Sequence, residues 1–377
     1  MGDELASETS LESSDQRRSA FGFLRLLFAA LVIVSHAPEI LDGDRTREPL
    51  TQIFGTVSLG ELSVDAFFII SGYLIAGSYL QSPNALVYLR KRVVRIYPAF
   101  IVASLVTLLV VAPLAGVGID WIARHFEYES LRIGLLQPPD IPNAFSDQPL
   151  PYTNAPMWTI AYEFRCYLLL LGLGLLGLLR HPRILVVLAG VCFLALGFLP
   201  TAFFETLDRQ VPLSIFWFGL SQEALRFTAI FVMGIVFYVE RERIRFSPRA
   251  VVLAGLLLVG CLFSAKLAEP AIAVFGAYLI FAAASWASTR RIGKLNTETD
   301  VSYGVYLYAW PVAQLLTRYM PGLPIAVHVL ITVTIALCCG WVSWKLIERP
   351  ALKALNRKLE KRTLARTEMT PALQLSA

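Results

Sequence analysis

Apolar stretches long enough to cross a bilayer recur along almost the whole chain. They fall at 21–38, 61–80, 97–116, 158–179, 183–199, 221–240, 249–267, 270–287, 301–318 and 323–345. This pattern predicts an all-α, polytopic membrane protein with about ten transmembrane helices. A further apolar run at 211–220, VPLSIFWFGL, is too short to span and reads as interfacial or re-entrant. The first window organises the rest. In FGFLRLLFAALVIVSHAP (21–38) two ionisable groups, Arg25 and His36, interrupt the apolar run. Eleven positions make about three full turns, so the two share one face and stand about 16 Å apart along the axis. Such groups are costly inside a membrane helix and call for partners or a function.

Charge sets the orientation. With ten spans, the even-numbered loops hold thirteen Lys and Arg, among them Arg90, Lys91, Arg92, Arg95, Arg290, Arg291 and Lys294. The odd-numbered loops hold seven over a longer stretch of chain, and the tail from Lys345 onward adds eight. By the positive-inside rule both termini are cytoplasmic. Residues 1–20, polar and Ser/Glu-rich, read as a disordered cytoplasmic tail. Residues 21–350 form the membrane domain, and 351–377 a basic cytoplasmic tail. Arg17 and Arg18 are a cytoplasmic anchor rather than part of a cleaved signal, since no small-residue cleavage site follows. The longest loop, 117–157, is then extracytoplasmic. It is proline-rich and ends on Tyr152 and Asn154, which suits substrate binding.

Composition agrees with the pattern. Hydrophobic residues make up 56% of the 377, charged residues 16%, and the mean hydropathy is +0.60. A net charge of +5 is no argument for nucleic acid, because the basic residues cluster at membrane edges. The five cysteines lie in apolar runs without ligand spacing, so neither a metal site nor a disulfide framework is expected.

Orientation gives each polar group a depth. His36 at the outer end of the first helix, Asp65 in the second and Glu163 in the fourth are expected at one outer level. An imidazole that takes a hydroxyl proton, oriented by a carboxylate, is general-base chemistry. A structural hydrogen-bonded cluster is the competing account. Tyr167 follows Glu163 by one turn on the same face and is a candidate substrate contact, as is Tyr306 in SYGVYLYAWP (302–311). Ser71, next to Gly72, is better explained by close helix packing than as a nucleophile. At the inner end, Arg25 meets YLRKRVVRIYP (88–98), where Arg92 and Arg95 face the same way. Pro98 suits the first turn of a helix, and arginines beside a helix N-terminus suit a polyphosphate. Lys91 reads as an ordinary positive-inside charge. Glu223 and Arg226 suit either an ion pair or a substrate contact. His125, His181 and His328 have no evident partner in sequence. An anionic cofactor inside, a base outside and a path between suit a transferase, and equally a proton-coupled transporter or a flippase of a glycan precursor.

Several ordered motifs carry a resemblance. Arg25 and His36 form R-x10-H. VDAFFIISGYLI (64–75), RVVRIYP (92–98), WTIAYEFRCYL (158–168), SYGVYL (302–307) and LIERP (346–350) follow in order. Together they resemble the acyltransferase 3 family of integral membrane O-acyltransferases. The resemblance implies transfer of an acyl group, usually acetyl, from acyl-CoA to a hydroxyl, commonly of a cell-surface carbohydrate, in a bacterial inner membrane. It implies an essential His36 and makes Arg25, Arg92 and Arg95 the candidates for the phosphates of acetyl-CoA. No metal is implied. There are two departures. Gly22 stands where the family often has an aspartate, and Ala309 where a histidine is common. No soluble esterase-like domain is expected after residue 350.

Overall fold

The computed structural model describes residues 2–210, 219–288 and 299–374. The apolar run at 211–220 lies almost wholly outside these residues, as do Arg290, Arg291 and Lys294 of the fourth even-numbered loop. Among the described residues every regular element is helical. We label the main helices α1 (Gly2–Asp42), α2 (Leu59–Leu80), α3 (Ala85–Leu114), α4 (Trp158–Leu175), α5 (Pro182–Phe198), α6 (Ser221–Val239), α7 (Pro248–Leu262), α8 (Ala268–Ser288), α9 (Ser302–Tyr319), α10 (Ile325–Ser343) and α11 (Arg349–Gln374). All ten apolar windows fall on α1 to α10. Among the described residues six spans are long and apolar enough to cross a membrane: Ala20–Asp42, Leu59–Leu80, Ala85–Leu114, Ser221–Val239, Ala268–Ser288 and Ile325–Lys361. The pair Pro182–Phe198 and Thr201–Gln210, bent by 104°, makes a seventh if counted as one span. Of the others, α7 is short, while α4 carries Glu163 and Arg165 and α9 carries Gln314 and Arg318.

Local sequence explains the boundaries. Ser58 and Glu61 close a reciprocal capping box at the start of α2, with the Glu61 N–H donating to Ser58 Oγ at 3.1 Å and the Ser58 N–H to Glu61 Oε2 at 2.8 Å. Asn84 caps α3 by accepting from the Val87 N–H at 2.9 Å. That cap corrects the expectation for Pro98. The helix starts at Ala85 and runs through Pro98, so the basic stretch is mid-helix and Pro98 opens no helix beside Arg92 and Arg95. Loop 117–157 also holds more structure than its prolines suggest, because Ile119–Gly134 is an amphipathic helix. Irregular chain follows, with positive φ at Leu136, Asn143 and Phe145.

Two close helix crossings hold the site in register. Gly72 of α2 meets Gly234 of α6, where a methyl on either would collide with the carbonyl of Phe231 or Ile69. Gly304 of α9 meets Gly340 of α10 in the same manner. Small residues let membrane helices approach until their backbones touch. The main core then gathers around α1, α2, α4, α6 and α8, with Ile69, Ile70, Phe100, Leu170 and Phe231 fully buried.

Candidate active site

At the end of the bundle that the charge pattern expects to be inner, residues of α1, α2, α3, α4 and α11 and the start of α9 line a cavity of about 390 Å³. Arg25, Lys91, Arg92 and Arg95 line it, against the carboxylates Glu163 and Asp300. Arg25 Nη1 donates to Asp300 Oδ2 at 2.8 Å, and Arg95 Nη2 donates to the same oxygen. Arg95 Nη1 also reaches Glu348 Oε2 at 3.3 Å. Burial opposes the charge on Asp300, but Arg25, Arg95 and the Ser302 hydroxyl outweigh it and hold the carboxyl well below the usual carboxylate range. Arg92 is differently placed. Its guanidinium lies 5.8 Å from the Tyr88 ring centre and 5.7 Å from that of Tyr167, and Nη2 donates to Ser78 Oγ at 3.1 Å. Its Nε is buried without a hydrogen-bond partner. A planar cation with a donor to spare, beside arginines already oriented, is suited to phosphate oxygens.

The outer end of α1 is built otherwise. His36 Nδ1 lies 3.2 Å from Glu39 Oε2, one turn along, and the indole of Trp310 stands edge-on to the imidazole at 5.0 Å. Fixing Nδ1 leaves Nε2 as the available ring nitrogen. Glu48, almost fully buried, ties the loop above to this helix end. It accepts from Ser35 Oγ at 3.3 Å and from the N–H groups of Leu59 and Thr51, each at 2.7 Å.

Asp65 and Glu163 do not join His36. Asp65 is completely buried and receives Arg226 Nη2 at 2.6 Å; the same guanidinium meets Glu269 at 3.1 Å and Glu223 at 3.4 Å. A buried carboxylate takes the cation nearest to it, and an arginine in α6 was nearer than the histidine in α1. Glu163 faces the arginine cavity, where Oε1 accepts from Ser71 Oγ at 2.7 Å and from the Tyr167 hydroxyl at 2.5 Å. The carboxylate beside His36 is Glu39, whose i, i+3 spacing was legible in the sequence. Asp300, two residues ahead of the SYGVYL motif, carried no such signal.

Two smaller voids lie between the ends. One of about 40 Å³ shares Arg25, Glu163 and Tyr303 with the arginine cavity and is bounded by Tyr306. A second, of about 20 Å³, shares Tyr306 and is bounded by His36, Trp310 and His328. Tyr306 is held there by its hydroxyl, which donates to the Pro156 carbonyl at 2.9 Å and lies 2.8 Å from Thr159 Oγ1. A groove of about 680 Å³ opens in loop 117–157, lined by Arg132, Asn143, Tyr152, Asn154 and Trp158. Tyr152 is exposed, whereas Asn154 is buried, with Nδ2 donating to the Leu307 carbonyl at 2.9 Å and Oδ1 unpartnered. The Tyr152 carbonyl accepts from the Trp310 indole at 2.8 Å, so the groove wall and the His36 surroundings share one strut.

A family profile described as an acyltransferase domain matches residues 18–345. The chain belongs to the acyltransferase 3 family. Among curated relatives, a protein of Shigella phage Sf6 named O-acetyl transferase is 26% identical over 351 residues, covering 91% of this chain and 98% of that protein. Acyltransferase MdmB of Streptomyces mycarofaciens is 23% identical over 338 residues, covering 82% of this chain and 85% of the relative. Nodulation protein 10 of Rhizobium leguminosarum bv. viciae is 33% identical over 126 residues, a third of each chain. No solved structure matches. The multi-pass helical chain is thus a membrane protein of an acyltransferase family, and Arg25, Arg92, Arg95 and His36 lie inside the matched region.

Proposed function

We propose that this protein is an acyl-CoA-dependent O-acyltransferase of the bacterial inner membrane, with ten crossings and both termini in the cytoplasm. The donor, acetyl-CoA, enters from the cytoplasm and lays its phosphates against Arg25, Arg92 and Arg95. Its thioester reaches past Glu163 and Tyr306 towards His36. The acceptor is a hydroxyl of a carbohydrate or glycoconjugate held in the outer groove by Tyr152 and Asn154. Tyr167 lines the donor's path. His36 Nε2 takes the acceptor proton as the hydroxyl oxygen attacks the thioester carbonyl. The new C–O bond forms, the C–S bond breaks, and the sulfur leaves with the electron pair and takes up the proton from His36. Glu39, rather than Asp65 or Glu163, orients the imidazole. Asp65 belongs to the structural ion cluster of Arg226.

The observation that carries this reading is the chain of voids. Between the arginine-lined cavity and the histidine of α1 lie two small voids, one walled by Arg25, Glu163, Tyr303 and Tyr306 and the next by Tyr306 and His36. A membrane-embedded base with a separate polyanion seat is what transfer between two compartments requires.

The test is release of free CoA from acetyl-CoA by purified protein in nanodiscs, with a glycan extract as acceptor. Wild type turns over. His36→Ala, at matched folding and donor affinity, loses about 10²- to 10⁴-fold, the usual worth of a general base. Donor binding with turnover unaffected by His36→Ala would remove the histidine from the chemistry. Substrate movement across the bilayer without acyl-CoA turnover would assign the chain to transport instead.

A further inference from the structure

The void beside His36 has an unusual wall for a site of proton transfer. Apart from His36 itself, Tyr306, Trp310 and His328, its lining is Pro156 and aliphatic side chains: Ala29, Val32, Ile33, Ala37 and Ile40 from α1, and Ala309 and Ala313 from α9. His328 commits one ring nitrogen to its neighbours, while its buried Nδ1 has no hydrogen-bond partner among the described residues. Its Nε2 lies 3.1 Å from Thr317 Oγ1 and 3.2 Å from the Ala313 carbonyl. An ordered water needs two to four polar partners, and this slot offers few, so the physics favours an apolar occupant. Its volume, about 20 Å³, is little more than one water-sized sphere needs. A methyl group is of that size. A longer alkyl chain is not.

We propose that this slot is the acyl pocket, and that its walls limit the donor to acetyl. The inference rests on the reading of the arginine cavity as the donor seat. With the thioester carbonyl at His36, the methyl carbon points between α1 and α9, and the sulfur points back towards Tyr306. The walls resist expansion. Ala29, Ile33 and Ala309 belong to a packed cluster with Val301, Val305 and Ala336, and Ile40, Trp310 and Ala313 form another beyond it. Well-packed interiors register the addition of even one methylene. Ala309 is the narrowest choice at its position short of glycine, and Ile33 and Ile40 are the residues whose trimming enlarges the slot.

The experiment measures the affinities of CoA, acetyl-CoA, propionyl-CoA and butyryl-CoA for protein in nanodiscs, for wild type, Ile33→Val, Ile40→Val and Ala309→Val. Wild type is expected to prefer acetyl-CoA over butyryl-CoA by about tenfold or more, the weight of one or two misfit methylenes. Ile33→Val and Ile40→Val should narrow the propionyl-to-acetyl gap several-fold, while CoA itself binds as in wild type. Ala309→Val should bring acetyl-CoA down to the affinity of CoA. These three changes run in opposite directions from conservative substitutions, so a general loss of folding does not imitate them. CoA binding with no discrimination among acyl chains, or discrimination that none of the three variants alters, overturns the slot and leaves the donor seat standing. Failure of CoA and every acyl-CoA to bind overturns the donor seat and the slot together.

Discussion

Two buried clusters of arginine and carboxylate sit in this protein, and they differ in what surrounds them. At the inner end, Arg25, Lys91, Arg92 and Arg95 face Glu163 and Asp300 across about 390 Å³ of open space. At the outer end of α6, one guanidinium, Arg226, is closed in by Asp65, Glu223 and Glu269. None of these outer residues lines the cavities described above. The inner cluster has cations in excess and room for a guest; the outer one has acids in excess around a single guanidinium. A buried ion pair says little about function in itself, because its Coulombic gain is offset by desolvation. Cavity and imbalance together are what separate a binding site from a staple.

The sharpest way to break that comparison is to remove the central arginine from each cluster. Arg95→Ala strands Glu348 and leaves Asp300 with Arg25 as its remaining cation, and Arg226→Ala strands Asp65, so each should cost about 3–5 kcal/mol of stability. Their effect on acetyl-CoA should differ. In the protein that still folds, Arg95→Ala is expected to lose donor affinity by roughly a hundredfold, and Arg226→Ala to keep it within about threefold. Equal losses in a binding titration would mean that the outer cluster is no mere staple.

Arg92→Gln sharpens the distinction from within the inner cluster. Among the described residues Arg92 forms no ion pair; it donates to Ser78 and lies over the rings of Tyr88 and Tyr167. The melting temperature should therefore move by a few degrees at most, while donor affinity falls about ten- to a hundredfold, the worth of a charge-assisted hydrogen bond. A large drop in melting temperature with intact affinity would make Arg92 structural.

How much of this was legible beforehand varied with the range of the interaction. The helical windows and the shared face of Arg25 and His36 follow from local periodicity, and the structure keeps all of them. Arg92 and Arg95 could be paired with Arg25 because positive-inside charge gives depth without contacts. Partners across long sequence separations could not be read. Asp300 lies 275 residues from Arg25, and Glu348 lies 253 from Arg95. Depth alone grouped Asp65 and Glu163 with His36, but depth leaves the azimuth of each helix open. The glycine crossing Gly72–Gly234 fixes the azimuth of α2 against α6, and the Asp65 carboxylate meets Arg226 there.

Asp300 gives a smaller effect with a distinctive pH signature. Its carboxyl is held below the ordinary value in the folded protein, so its stabilising share is fully present above the unfolded value near 4. That share declines as the pH falls below about 4 towards the folded value. Asp300→Asn keeps a hydrogen-bonding amide and should cost roughly 1–2 kcal/mol at pH 7. In thermal melts the gap from wild type should shrink between pH 4 and pH 3. A gap that stays constant through that range would show that the ionised form contributes nothing.

The smallest expected effect belongs to Lys91, and it tests whether lining the cavity is enough to matter. Lys91 borders the same space as Arg92, but its ammonium reaches Ser82 Oγ at 3.4 Å, towards the start of α3. A lysine is a flexible, strongly hydrated point charge, with none of the planar fork that suits phosphate oxygens. Lys91→Ala should weaken donor binding by about twofold to threefold, and the loss should fade in high salt as screening removes its long-range share. Arg92→Gln, acting through direct contact, should keep most of its loss under the same salt. If both variants lose affinity equally and both losses vanish with salt, the inner cluster attracts the donor by net charge alone, and the geometry of its arginines is incidental.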